Sequence, residues 1–164
     1  MLTQNLLKEC LHYDPETGIF VWLKSANKRV HIGSIAGTIN HDGYRRIKLQ
    51  GKIYSAHRLA FLYMNGSFPP EETDHINGVR DDNRFSNLRL ATSSENMCNR
   101  GKQVDNTSGF KGVIWNKRDK KWRAQIMQMN RRVYLGHFDS PEAAHQAYVE
   151  AAKRLHGDFA NFGK

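Results

Sequence analysis

Nine consecutive residues, GKQVDNTSG at 101–109, contain a single large apolar side chain and no hydrophobic period. A core cannot run through such a stretch, because nothing in it can be buried at helical or strand spacing. The chain has 164 residues. It is therefore expected to fold as two small units, residues 1–100 and 110–164, joined by a linker at 101–109. Apolar residues make up 39% and mean hydropathy is −0.69, enough for folded units with thin cores.

Past the linker, GFKGVIW, KWRAQIMQ and RRVYLGHF are three strand-like runs separated by NKRDK and MN turns. PEAAHQAYVEAAKRLHG then reads as a helix, with Pro141 in its first turn, Ser140 or Asp139 as cap, and Gly157 as stop. Ala144, Ala147, Tyr148, Ala151 and Leu155 form one apolar stripe on it. In the middle strand Trp122, Ala124 and Ile126 share a face suited to that stripe, and Arg123, Gln125 and Met127 share the other. Arg132 and Tyr134 share a face of the third strand. The expected unit is a three-stranded antiparallel sheet packed on one helix.

The first unit is more broken. Residues 2–13 read as a short amphipathic helix, DPETG as a turn, IFVW as a strand, and the basic stretch LKSANKRVHIGS (23–34) as a loop. GYRRIKLQGKIYSAH (43–57) reads as a hairpin turning at Gln50-Gly51-Lys52, and 57–66 as a helix closed by Gly66. DHINGVRDDNRFSNLRLATSSENMCNR (74–100) then gives a strand, a long polar loop, a second strand and a helix. Thr92 and Glu95 stand at capping-box spacing, so that helix should begin near Ser93. The whole is of the α+β class.

Charge narrows the partner. Lys and Arg total 25 against 16 Asp and Glu, for a net +9. Residues 1–104 hold 14 basic and 10 acidic residues, and 105–164 hold 11 and 6, so both halves can face one polyanion. Nucleic acid is the first candidate. No apolar run approaches the ~20 residues of a spanning helix, so a membrane partner is not expected. Cys10 and Cys98 have no companion at ligand spacing, which argues against a structural zinc or a disulfide framework. The first residues lack the pattern of a signal peptide, and a cytoplasmic protein is expected.

Within 74–100, four residues suit phosphodiester hydrolysis, which needs an activated water and neutralised charge on the phosphate and leaving oxygen. His75 can take a proton near neutral pH. Asp74 can give a hard cation an anionic oxygen and Asn96 a neutral one, with waters and phosphate completing its shell. Singly, each would read as a turn or cap residue. Neighbouring strand residues point to opposite faces, so a bulge or twist is expected at Asp74-His75 if both serve one site.

The segments DHING, DDNRFSNLR and ATSSEN, with AHRLAFLY (56–63) before them, resemble the HNH endonucleases of the phage and intron homing type. The resemblance implies a ββα-metal core, His75 as general base, Asp74 and Asn96 as metal ligands, and Asn87 holding the histidine or its loop. His57 would pack or contact DNA. Asn96 stands where the wider superfamily has a histidine, which favours Mg²⁺ or Mn²⁺ over zinc. SGFKGVIW, KWRAQI, RVYLGHFDSPEAAHQAYVEAAKRLHG and the final NF resemble the plant ethylene-response-factor (apetala-type) DNA-binding domain, over about 108–162. That resemblance implies a groove-reading sheet, with Lys111, Gln125, Arg132 and Tyr134 as DNA contacts. Ile114 and Met127 replace basic residues of the plant domains, so the plant target sequence does not transfer.

The expected function is a metal-dependent, site-directed endonuclease of the homing type, acting on double-stranded DNA as a monomer with no small-molecule substrate. Arg45, Arg46 and Lys48 of the hairpin, with Arg123 of the sheet, are added to its DNA contacts. If phage-encoded, it would act in the host cytoplasm. The rival is a DNA-binding regulator on a silent nuclease scaffold. An RNA-directed nuclease is disfavoured, because side chains cannot read the deep, narrow major groove of A-form RNA.

Overall fold

The computed structural model describes residues 2–25, 30–129 and 131–163. Part of the basic stretch expected as a loop (26–29) and Asn130 of the MN turn lie outside the described residues. The chain divides into two compact units, Met1–Ala91 and Thr92–Lys164.

In the first unit the opening helix is shorter than its apolar spacing suggests. Helix α1 spans Gln4–Cys10, with the Thr3 hydroxyl accepting from the Leu6 amide. Leu11–Asp14 is strand β1, paired antiparallel with β2, Ile19–Trp22, in the register Leu11 to Trp22 and Tyr13 to Phe20. The reason is burial: Leu11 and Tyr13 are buried while His12 is exposed, a period of two that a helix cannot satisfy. Next come β3 (Thr38–Ile39), β4 (Arg45–Leu49) and β5 (Lys52–Ser55), an antiparallel sheet in that order. Its β4–β5 turn is at Gln50-Gly51, both at positive φ as a two-residue hairpin turn requires. Helix α2 is Ala56–Asn65, closed by Gly66.

The core of this unit joins Leu7, Leu11, Tyr13 and Phe20 to Ile47 and Leu49 of the hairpin and to Leu59, Ala60, Phe61 and Leu62 of α2. Tyr13 and Phe20 stack with ring centres 4.5 Å apart. Removing one such leucine would cost about 2–5 kcal/mol. Strands β6 (Glu72–His75) and β7 (Leu88–Ala91) form a separate two-stranded ribbon, with a 3-10 turn at Phe85–Asn87 between them.

The second unit begins with helix α3, Ser93–Cys98, which belongs with the C-terminal residues although it falls within the expected first unit. Thr92 and Glu95 form the expected capping box. Strands β8 (Val113–Asn116), β9 (Lys121–Gln128) and β10 (Arg131–Phe138) form an antiparallel sheet with β9 in the centre. Helix α4, Pro141–His156, packs on it with Ser140 as N-cap. Ala144, Tyr148, Ala151 and Ala152 of α4 are buried, as are Val113, Ala124 and Ile126 of the sheet. The 101–109 stretch holds no helix or strand. At its end the Ser108 hydroxyl bonds the carbonyls of Phe110 and Val113, fixing the approach to β8.

Two residues carry testable consequences. Gly112 sits at φ +77, and a Cβ there would lie 2.2 Å from the Tyr148 ring and 2.7 Å from the Gln125 carbonyl. Gly112→Ala should therefore destabilise the second unit by roughly 1–3 kcal/mol in denaturant unfolding. His57 of α2 has a buried Nδ1 without a hydrogen-bond partner, and burial holds its pKa at about 3, far below the ordinary 6.5. The unfolded chain takes up that proton as pH falls below 6.5, while the folded chain resists it until about 3. Stability is thus present above 6.5 and lost below it, by up to about 1.4 kcal/mol per pH unit for each such proton. His57→Phe should flatten that loss in denaturant midpoints measured between pH 6.5 and 4.

Candidate active site and DNA-facing surface

Strand β6 ends in three consecutive buried residues, Thr73, Asp74 and His75. The pairing with β7 is regular, with Asp74 opposite Arg89 and His75 opposite Leu88. The expected bulge is absent. Asp74 and His75 therefore leave opposite faces of the ribbon. His75 is the last residue of the strand, where it gives way to the loop.

On one face, Arg89 Nε and Nη2 donate to Asp74 Oδ2 at 2.8 and 2.7 Å. Arg89 was not singled out in the sequence, although direct cross-strand pairing makes the contact nearly automatic. On the other face the His75 ring meets His57 edge-on at 5.2 Å and Tyr44 at 5.9 Å. Burial lowers the His75 pKa, opposed in part by a hydrogen bond to Asn83 and by the charges of Asp74 and Asp82. The imidazole is thus neutral at physiological pH.

Asn83 is the second residue that sequence reading missed. Its Oδ1 lies 3.3 Å from His75 Nε2, and its Nδ2 donates to the Asp81 carbonyl at 3.0 Å. An amide oxygen accepts, so this contact is made by the tautomer that carries its proton on Nε2. Asn83 is itself buried and braced from a distant part of the chain. The Tyr13 hydroxyl donates to its carbonyl at 2.7 Å, and the Phe85 amide donates to the Pro15 carbonyl at 3.0 Å. Gly18, at φ +73, backs onto the same loop, where a Cβ would fall 2.3 Å from the Arg84 nitrogen. No local pattern signals this, because Tyr13 and Asn83 are 70 residues apart.

Asn87 ties the loop to itself. Its Oδ1 accepts from the Asn77 amide at 3.0 Å, and its Nδ2 donates to the Asp82 carbonyl at 2.8 Å and to Asn77 Oδ1 at 3.0 Å. Its backbone carbonyl accepts from the Ile76 amide, extending the β6–β7 ladder past His75. Asn96 lies in α3 of the second unit and is half-buried.

Among the expected DNA contacts, Arg46 and Lys48 alternate on the exposed face of β4. Arg45 points elsewhere: its Nε and Nη2 meet the two Asp81 oxygens at 3.0 and 3.1 Å, so its guanidinium anchors the loop instead of presenting itself to solvent. Arg80 adds to that brace by donating to the Asp42 carbonyl at 2.7 Å and lying over the Tyr44 ring. In the second unit, pairing of Gln125 with Tyr134 and Met127 with Arg132 sets those four on one face, with Arg123 opposite Ile114 and His137. Arg132 and Tyr134 are exposed, and Arg123 and Gln125 partly so. Lys111 departs from expectation. Its Nζ turns inward to the carbonyls of Cys98 and Arg100.

Among the described residues no cluster of three His, Cys, Asp or Glu is placed to hold a metal, and no helix is long and apolar enough to cross a membrane. The donor types of the four-residue set are one carboxylate and two carboxamides beside a neutral imidazole. These are hard oxygens, suited to a cation that keeps most of its water.

Comparison with known proteins gives two family matches. A profile described as HNH endonuclease matches residues 54–98, and one described as AP2 domain matches 108–158. Protein 3.8 of Escherichia phage T7 is 35% identical over 89 residues, covering 54% of this chain and 73% of that protein. The AP2-like ethylene-responsive transcription factor TOE2 of Arabidopsis thaliana is 37% identical over 51 residues, 31% of this chain and 10% of that protein. A solved structure described as DNA binding and cleavage by the HNH homing endonuclease I-HmuI shares 22% identity at a TM-score of 0.44, covering 90% of this chain and 85% of that one. The HNH profile spans α2, β6, β7 and α3, including Asp74, His75, Asn87 and Asn96, and the AP2 profile spans the sheet and α4. The chain belongs to the HNH endonuclease family and carries an AP2-type domain after its HNH segment.

Proposed function

We propose that this protein is a metal-dependent endonuclease that hydrolyses double-stranded DNA at a directed site, as homing enzymes do. The observation carrying this reading is the His75 imidazole: buried, neutral, and hydrogen-bonded through Nε2 to a braced asparagine, within the HNH segment.

A neutral imidazole with its proton on Nε2 accepts the proton of an attacking water at Nδ1. Asn83 then steadies the imidazolium, because its carbonyl oxygen accepts more strongly from a charged donor. His57 and Tyr44 keep bulk water from the other edges of the ring and limit its rotation. Asn87 keeps the loop closed under it. Asp74 and Asn96 would hold Mg²⁺ or Mn²⁺, and Arg89 fixes the orientation of the Asp74 carboxylate. When bound, the cation neutralises charge on the scissile phosphate and on the departing 3′-oxygen. Arg46, Lys48 and the face bearing Arg123, Gln125, Arg132 and Tyr134 hold the duplex. The protein acts as a monomer, one active site per chain cutting one strand per binding event, in the host cytoplasm if phage-encoded.

The rival reading, a DNA-binding regulator on a silent scaffold, draws on the Arg89–Asp74 pair, which places two donors on one oxygen of the candidate ligand. Tight duplex binding with no strand breaks in either Mg²⁺ or Mn²⁺ would decide for it.

In a plasmid cleavage assay with Mg²⁺, His75→Ala should lower the rate by at least about 10²–10⁴-fold with duplex affinity unchanged. Unimpaired cutting would remove His75 from the mechanism. A chelator should abolish cleavage and leave binding in place. Asn83→Ala should slow cleavage less than His75→Ala, since it disturbs the tautomer and orientation of the base without deleting it.

A further inference from the structure

Helix α3 has only six residues, too few to be stable alone. Its N-terminus is closed locally: the Glu95 carboxylate accepts from the Thr92 amide at 2.8 Å, and the Thr92 hydroxyl accepts from the Glu95 amide at 3.3 Å. Its C-terminus has no such device. The C-cap is Asn99 in right-handed helical conformation, not a glycine in the left-handed one. The carbonyls at that end are met by two side chains from the AP2-type part of the same unit. Lys111 Nζ donates to the Cys98 carbonyl at 2.9 Å and the Arg100 carbonyl at 2.5 Å, and Asn161 Nδ2 donates to the Asn99 carbonyl at 2.8 Å.

The clamp is built from the domain core outward. Tyr148 of α4, fully buried, donates its hydroxyl to the Asn161 carbonyl at 3.3 Å, and its ring centre lies 5.8 Å from Lys111 Nζ. Gly163 backs onto the Lys111 side chain, where a Cβ would lie 2.9 Å from Lys111 Cβ. An ammonium at a helix C-terminus is favoured by the helix dipole, and this one is desolvated enough for burial to pull its pKa to about 8.

We propose that Lys111, with Asn161, is a positioning residue for Asn96: by clamping the end of α3 it sets the carboxamide that the helix offers to the metal. This rests on the proposed role of Asn96 as a ligand. Asn96 lies two residues before Cys98, whose carbonyl Lys111 holds. Any tilt of so short a helix moves both. The placing of that carboxamide thereby depends on the folded state of the AP2-type domain in the same unit, and a residue expected to touch DNA acts instead through the helix.

The test uses the full chain in a His75→Ala background, bound to an uncut duplex. Mn²⁺ affinity is read by water-proton relaxation and duplex affinity is measured in chelator. Lys111→Met should weaken Mn²⁺ binding by about 10–100-fold, as removal of an outer support of a metal site does, with duplex affinity unchanged. Lys111→Arg should restore part of the loss. Asn161→Ala, which spares the lysine, should weaken Mn²⁺ in the same direction by less, and it keeps the test valid should Lys111→Met fail to fold. Unchanged Mn²⁺ affinity in folded Lys111→Met and in Asn161→Ala overturns the proposal. So does lost duplex affinity at unchanged Mn²⁺ affinity, which would return Lys111 to the DNA contacts. Failure of the otherwise native chain to cut DNA would overturn the nuclease reading alone, because the Mn²⁺ measurement does not depend on turnover.

Discussion

A single hydroxyl in the β1–β2 hairpin underlies the order of the loop between β6 and β7. Tyr13 donates to the carbonyl of Asn83, and the side chain of that asparagine meets the His75 ring. The loop has no ladder of its own, so its backbone groups need partners from elsewhere. It finds them in Pro15 and in the side chain of Asn87, while Arg45 holds the Asp81 carboxylate and Arg80 reaches from the loop to the Asp42 carbonyl. Tyr13 is able to serve because it is locked by stacking on Phe20 at the centre of the core. Buried this way, its phenol pKa is raised further and it stays a donor. An irregular segment thus acquires the rigidity of the core without being part of it.

The two units solve a shortage of core in different ways. The first joins two helices, a hairpin and a three-stranded sheet through aromatic and leucine contacts. The second relies on small residues: Ala124 of the sheet and Ala144, Ala151 and Ala152 of α4 let helix and sheet approach closely. Close approach leaves no room at Gly112, which is why that position tolerates no side chain. On the other face of the sheet Arg132 and Tyr134 are exposed.

Legibility in the sequence followed the range of the interactions. The Thr92–Glu95 capping box, the α4 cap at Ser140, the Gln50-Gly51 turn and the three-strand-plus-helix order are contacts within a few residues, and each was readable. Residues 11–13 are strand where the spacing of Leu7, Cys10 and Leu11 predicts helix, because the pairing with β2 that overrides it is tertiary. The bulge expected at Asp74-His75 did not appear. The β6–β7 register stays regular through His75, the last residue of the strand.

Arg45 and Lys111 show the limit most clearly. Both looked like free cations, because charge and position on a basic segment were all that the sequence offered. The fold supplied Asp81 to one and the end of α3 to the other. By itself the sequence determined the residue types of the candidate site and the families to which its two segments are related, because these are written in local order and spacing. Only the tertiary structure decided which cations face solvent and which tie loops, and that Asn83 and Arg89 accompany His75 and Asp74. Hydrogen-bond partners tens of residues apart leave no period in the chain to read.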